Sequence, residues 1–230
     1  MSAVKALGSI LYTENPSVIN QIVNGDYFRR IYQVIERYSI QDVPGAVEII
    51  KDCFWGLSNI VLSDEQAQNF FFKEELLADI VFRFALGHPN QILRIEASHV
   101  IVNALSSCYL DTLLNIWVQN YNGRIVKFIL TCSNYSMVQE ERLHLGLLQC
   151  IDLFAQLENL KEEGKFVNFL QVFEENNGIH YLEQAQLKGS SKMYTSAMDI
   201  LRNHFRNSKQ FMELDDVSDD QNQSMSMFKI

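Results

Sequence analysis

The sequence predicts an all-α protein, a right-handed α-solenoid of about four repeat units, on three observations. The 230 residues contain only 3 Pro and 10 Gly, while Leu, Ile, Glu, Gln and Asn recur in long stretches, which favours helices over short strands joined by tight turns. Apolar positions within those stretches follow helical spacing, as in the amphipathic run from Tyr27 to Tyr38. Finally, the pattern returns: Ser9, Asn59, Asn103 and Cys150 hold matching places and stand 50, 44 and 47 residues apart. A compact bundle has no need of such a period, whereas stacked units that cover one another's apolar faces do.

Taken in order, each unit reads as three helices. The first, about residues 1–40, comprises Ala6 to Thr13, Ser17 to Asn24, a break at Gly25-Asp26 and the run Tyr27 to Tyr38. The second, 44–87, follows a connection that absorbs extra residues between Ser39 and Gly45, and holds Gly56 to Ser63, Glu65 to Lys73 and Leu76 to Leu86. The third, 90–133, has Val100 to Ser107, Leu110 to Asn120, a break at Asn122-Gly123 and Ile125 to Cys132. The fourth, 137–207, has Leu147 to Leu153, Lys165 to Glu175, a break at Asn177-Gly178, Ile179 to Ala185 and a covering helix from Ser190 to Phe205. Met193, Ala197, Ile200, Leu201 and His204 fall on one side of that last helix. A repeat domain over residues 1–212 is therefore expected, followed at 213–230 by an acidic flexible tail whose composition cannot offset the entropy of ordering. Ser2 to Tyr12 reads as the inner helix of a unit whose earlier helices are absent, so a partner caps this end or the chain is the back half of something longer.

Charge and cysteines narrow the function. Of the formal net charge of −9, Glu213, Asp215, Asp216, Asp219 and Asp220 against Lys229 account for −4, leaving −5 on residues 1–212. Such acidity argues against binding a nucleic-acid backbone and suits a basic partner, or simply keeps the protein soluble. Cys53, Cys108, Cys132 and Cys150 form no Cys-x-x-Cys pair and read as small core residues in a reducing compartment. Neither an apolar leader nor a membrane-length apolar run is apparent. Ser58 and Ser98 lack an activating His and acid at helical spacing, the five histidines show no metal-ligand pairing, and no Gly-rich phosphate loop exists. A non-catalytic protein without cofactor or metal is expected.

The chemistry that does recur is a face. Asp52, Trp55 and Asn59 lie at i−3, i and i+4, so a helix stacks a carboxylate, an indole and an amide. Glu96, His99 and Asn103 repeat the order 44 residues later, with imidazole for indole. An Asn amide donates and accepts, and so holds an extended peptide backbone without reading its sequence. Rings one turn away flank the stems of Lys or Arg, with cation–π attraction of about 0.5–2 kcal/mol each, and carboxylates beyond them take the charged heads. The matching first rung offers Lys5 with Ser9, where the cation repels a basic peptide unless it points away, and the fourth offers Gly146 with Cys150, which supply neither wall nor clamp. Alternatives stand beside each residue: Trp55 as an inter-repeat core residue, His99 as a partly buried hydrogen-bonded histidine, and Asn59 and Asn103 bonded to nearby backbone. Phe70-Phe71-Phe72 with Phe82 and Phe84 reads as core, and Trp117 as part of an outer helix.

These residues carry a family resemblance. Lys51-Asp52-Cys53 followed by Trp55 and Asn59, then an Ile and small polar residues, resembles the inner-helix signature of importin-alpha (karyopherin-alpha) armadillo repeats, and the spacings are near those of armadillo and HEAT units. The stretch from Phe173 to Gln186, then Met193 to Phe205, resembles that family's last repeat and covering helix, and an acidic tail follows there too. The resemblance spans roughly residues 1–212 and implies an adaptor in nuclear protein import, present in nucleus and cytoplasm. It implies that a basic, extended nuclear localisation signal of a cargo protein lies along the concave inner helices, here against Asp52, Trp55, Asn59, Glu96, His99 and Asn103. With one and a half rungs intact, weaker and shorter binding is expected. The basic N-terminal segment that engages importin-beta in that family has no counterpart here, so no importin-beta contact is expected through this chain. The family's export receptor, by contrast, is an expected partner of the C-terminal repeat, with Glu174, Glu175, Glu183 and the tail as the place for it. The competing expectation is an armadillo scaffold subunit of a larger assembly that has lost cargo binding.

Overall fold

Long proline-free runs, punctuated at Gly25-Asp26, Pro44-Gly45, Pro89-Asn90 and Asn177-Gly178, fold into helices separated by short turns. A computed structural model describes residues 16–23, 25–41, 43–63, 65–116, 122–159 and 168–205. Among these residues there are twelve helices and no strand. They are α1 (Pro16–Val23), α2 (Tyr27–Ile40), α3 (Ala46–Ser63), α4 (Glu65–Lys73), α5 (Glu75–Gly87) and α6 (Gln91–Ser106). The second half holds α7 (Leu110–Ile116), α8 (Asn122–Cys132), α9 (Glu141–Asn159), α10 (Phe169–Glu175), α11 (Gly178–Lys188) and α12 (Ser191–His204). The all-α expectation holds. The expected break at Asn122-Gly123 is instead the start of α8. The stretch Ala6 to Thr13, Trp117 and the tail lie outside the described residues.

Local chemistry sets several ends. Asn90 caps α6, its Oδ1 accepting from the backbone N–H of Ile92 at 2.9 Å and of Leu93 at 3.3 Å. Ser190 caps α12 by accepting from Met193 N–H at 3.4 Å. Between α10 and α11, Asn177 takes a left-handed φ of 64°, which asparagine tolerates, and a Cβ on Gly178 would collide with the Phe173 ring. The turn is therefore both sterically and conformationally specified.

Packing follows a three-element rule. The long helices α3, α6, α9 and α12 pack each against the next, while α2 contacts α5, α5 contacts α8, and α1 contacts α4. Buried side chains fill the space between these rows, from Phe28 and Ile35 through Phe54, Leu57 and Ile101 to Phe154 and Leu182. Phe71, Phe72, Phe82 and Phe84 are buried there and Phe70 packs against them, so the phenylalanine cluster is core. All four cysteines are buried, and burial pushes the thiols of Cys53, Cys108 and Cys132 up to about 12. They are inert apolar packing at neutral pH.

α6 comes close to α9 at Gly146, where an added Cβ would fall inside the van der Waals shell of Val102 Cγ1. Gly146→Ala is therefore expected to destabilise the fold by about 1–3 kcal/mol despite alanine's better helix propensity. Val102→Ala in the same chain should recover part of that loss, and urea denaturation of the two single variants and the double variant measures the coupling.

Candidate functional site

On α3 the buried residues Ile50, Cys53, Phe54, Leu57, Ile60 and Val61 turn toward the neighbouring helices. What is left facing outward is a stripe at helical spacing: exposed Glu48, half-buried Asp52, Trp55 and Asn59, and exposed Leu62. On α6 the equivalent stripe is exposed Ile92, then half-buried Glu96, His99, Asn103 and Ser106. All six residues singled out in the sequence thus share one level of burial, on two helices packed directly together. Trp55 in particular is neither a fully enclosed core residue nor a free surface one.

A hydrogen bond ties the α6 stripe to the α3 backbone. Asn103 Nδ2 donates to the carbonyl of Ser58 at 3.3 Å, which fixes the amide at the seam between α6 and α3. The same device recurs one helix on, where exposed Gln149 donates from Nε2 to the carbonyl of Ser106 at 2.8 Å. Cys150 is buried, its Sγ facing the Val102 carbonyl at 3.9 Å; Val102 stands one residue before Asn103 as Ser58 stands one before Asn59, so Cys150 keeps the register of Asn103 and the fourth position carries a thiol in place of an amide. Along α9 the exposed residues include Arg142, Gln149 and Gln156.

Charges that the sequence reading did not single out complete the face. Glu96 feels Lys51, Glu140, Asp52 and Glu48; its carboxyl is raised above the usual range chiefly by burial, with Lys51 acting against the rise. Three further carboxylates, of Glu48 and Asp52 on α3 and of Glu140 in the turn before α9, therefore act on Glu96, with Lys51 among them. Glu48 was legible, since it stands one turn before Asp52 in the same stripe. Glu140 was not, because only the packing of α9 onto α6 brings it near.

His99 is held down to about 4 by burial and by the Arg142 guanidinium. It is a neutral ring at physiological pH, so the repulsion a protonated wall would exert on a cation does not arise. The unperturbed value is about 6.5, so below that pH the unfolded chain takes up a proton that the folded chain refuses. Stability is fully present above about pH 6.5 and is lost as pH falls toward 4. Urea denaturation at pH 7 and pH 5 should show a smaller loss in His99→Gln than in the parent chain.

Two other histidines, His144 and His204, serve the scaffold. Buried His144 donates from Nε2 to the Tyr135 carbonyl at 3.2 Å and accepts at Nδ1 from the Tyr181 hydroxyl at 3.0 Å, and burial lowers its pKa. His204 Nε2 meets Asp152 Oδ1 at 2.8 Å, tying α12 to α9. Among the described residues no group of three His, Cys, Asp or Glu is placed to hold a metal ion, and no helix is long and apolar enough to cross a membrane. No protein-family model matches the chain, and no curated protein matches it significantly.

Proposed function

We propose that this chain is an importin-alpha-like adaptor, a right-handed solenoid of armadillo-type repeats whose α3–α6 face binds a basic, extended segment of a cargo protein. One observation carries the proposal. Carboxylate, ring and amide recur in the same order on two adjacent helices, and all six side chains sit half-buried where a peptide can reach them. In the bound state Asn59 and Asn103 hydrogen-bond the peptide backbone, Trp55 and neutral His99 flank the stems of Lys or Arg, and Asp52, Glu96 and Glu48 receive the charged heads. The tie to Ser58 preorganises Asn103 rather than consuming it, since the amide keeps a second N–H and its carbonyl oxygen. Arg142, close to His99, repels a basic side chain at the next rung, so the bound segment is short and centred on α3 and α6. On this reading the protein works in nuclear import, in nucleus and cytoplasm, and its C-terminal helices, with exposed Glu174 and Glu175 and half-buried Glu183, meet the export receptor.

A scaffold subunit is the second reading, and a specific observation favours it: the Asn103 and Gln149 amides both serve as inter-helix ties, which a binding clamp need not do. Fluorescence anisotropy with a lysine-rich peptide, titrated at low and high salt beside its glutamine-substituted control, separates the two. The adaptor gives binding by the lysine peptide alone that weakens steeply with salt. Absence of binding at low salt, with recovery of the chain from cells only as a fixed stoichiometric subunit, selects the scaffold.

A further inference from the structure

A second face has the opposite electrical character. Two adjoining depressions of about 580 and 380 Å³ run between α8, the turn after it, α10 and α11, sharing Leu130, Asn134 and Asn176. Lys127, His180 and Lys188 line them together with amides and hydroxyls, and no described lining residue is an Asp or Glu. In a chain of net charge −9 that is a selective exclusion of carboxylates. Glu183, which does not line the groove, is paired on α11 with His180 Nδ1 at 3.4 Å. Asn134 and Asn176 donate one turn back, to the carbonyls of Leu130 at 3.3 Å and Val172 at 2.8 Å, which orients both amides at the groove wall. Val138, 82% exposed, gives the lining an uncovered apolar surface.

We propose that this groove is the docking site of the chain's own acidic segment, Glu213 to Asp220. Position favours it first. The described chain ends at Phe205, whose ring packs against Phe173 of α10 at 6.0 Å between centroids, and Val172 of the same short helix and Asn176 just after it line the groove. Residues 206–212 span up to roughly 23 Å when extended, about twice the width of a helix, so they carry Glu213 across α10 without strain. Chemistry agrees. Glu213, Asp215, Asp216, Asp219 and Asp220 meet Lys127 and Lys188, while Leu214 and Val217 between them supply apolar side chains for the Val138 rim. The α3–α6 face, with Glu48, Asp52, Glu96 and Glu140, repels the same segment. Each surface ion pair is weak, but a short tether presents the segment at an effective concentration in the millimolar range, enough to populate the contact.

A nitroxide on Ser224→Cys in the full-length chain tests this directly, since all four native cysteines are buried and do not take the label. At low salt the amide resonances of Asn134, Asn176 and Lys188 should lose most of their intensity while those on the α3 stripe keep theirs. High salt, or Lys127→Glu with Lys188→Glu, should restore them. Replacing the five tail acids by lysine in that reversed-charge variant should bring the loss back. Groove resonances untouched by the label, a loss spread evenly over both faces, or groove binding by an added acidic peptide with no response to the tethered segment would each overturn the proposal.

Discussion

Trp55→Ala combined with Asn59→Ala is expected to weaken binding of a lysine-rich peptide by about 10- to 100-fold, the sum of one cation–π wall and one or two backbone hydrogen bonds. The effect is large because this is the one rung in which acid, indole and amide all stand on the same helix face. Both side chains are half-buried rather than enclosed, and a urea midpoint of the variant close to the parent's assigns the loss to binding. Trp55→Phe, which keeps an aromatic wall with a weaker cation–π attraction, should lose only part of the affinity. Anisotropy titrations of the parent and both variants at one salt concentration check the ranking, and equal affinity in all three refutes the placement of the site.

Phe154→Ala is expected to cost about 3–5 kcal/mol of folding stability, the range for an aromatic deleted from a core that cannot collapse around the gap. Phe154 is fully buried on α9 and begins a file of rings. It stacks on Phe169 at 5.3 Å, Phe169 stacks on Phe173 at 5.4 Å, and Phe173 meets Phe205 at 6.0 Å. Those contacts hold the short α10 and the end of α12 against α9. Removing the first ring should lower the urea midpoint sharply, and a loss below about 1 kcal/mol would mean that the file repacks around the hole.

The course of the chain was legible where apolar periodicity met a turn residue. Glu65 to Lys73 matches α4, and the covering helix from Ser190 to Phe205 matches α12 within one residue at each end, with Met193, Ala197, Ile200 and Leu201 buried as read. The six candidate side chains also emerged from spacing alone, because a stripe at i, i+3 and i+4 needs no tertiary information to be found. Contacts between units were not legible in the same way. The influence of Arg142 on His99, and of Glu140 on Glu96, exists only once α9 lies against α6. The carboxylate-free groove was invisible for the same reason, since Lys127 on α8, Asn176 at the end of α10 and Lys188 on α11 share no sequence pattern.

The proposed function turns on which surroundings the Trp55 indole meets. The chain has two tryptophans, so its indole N–H region carries two resonances, and Trp55→Phe assigns them. Titration with an unlabelled lysine-rich peptide should shift the Trp55 resonance in step with binding and leave that of Trp117 in place. Peptide binding that moves only the Trp117 resonance, or neither, would contradict a binding site built on the α3–α6 face.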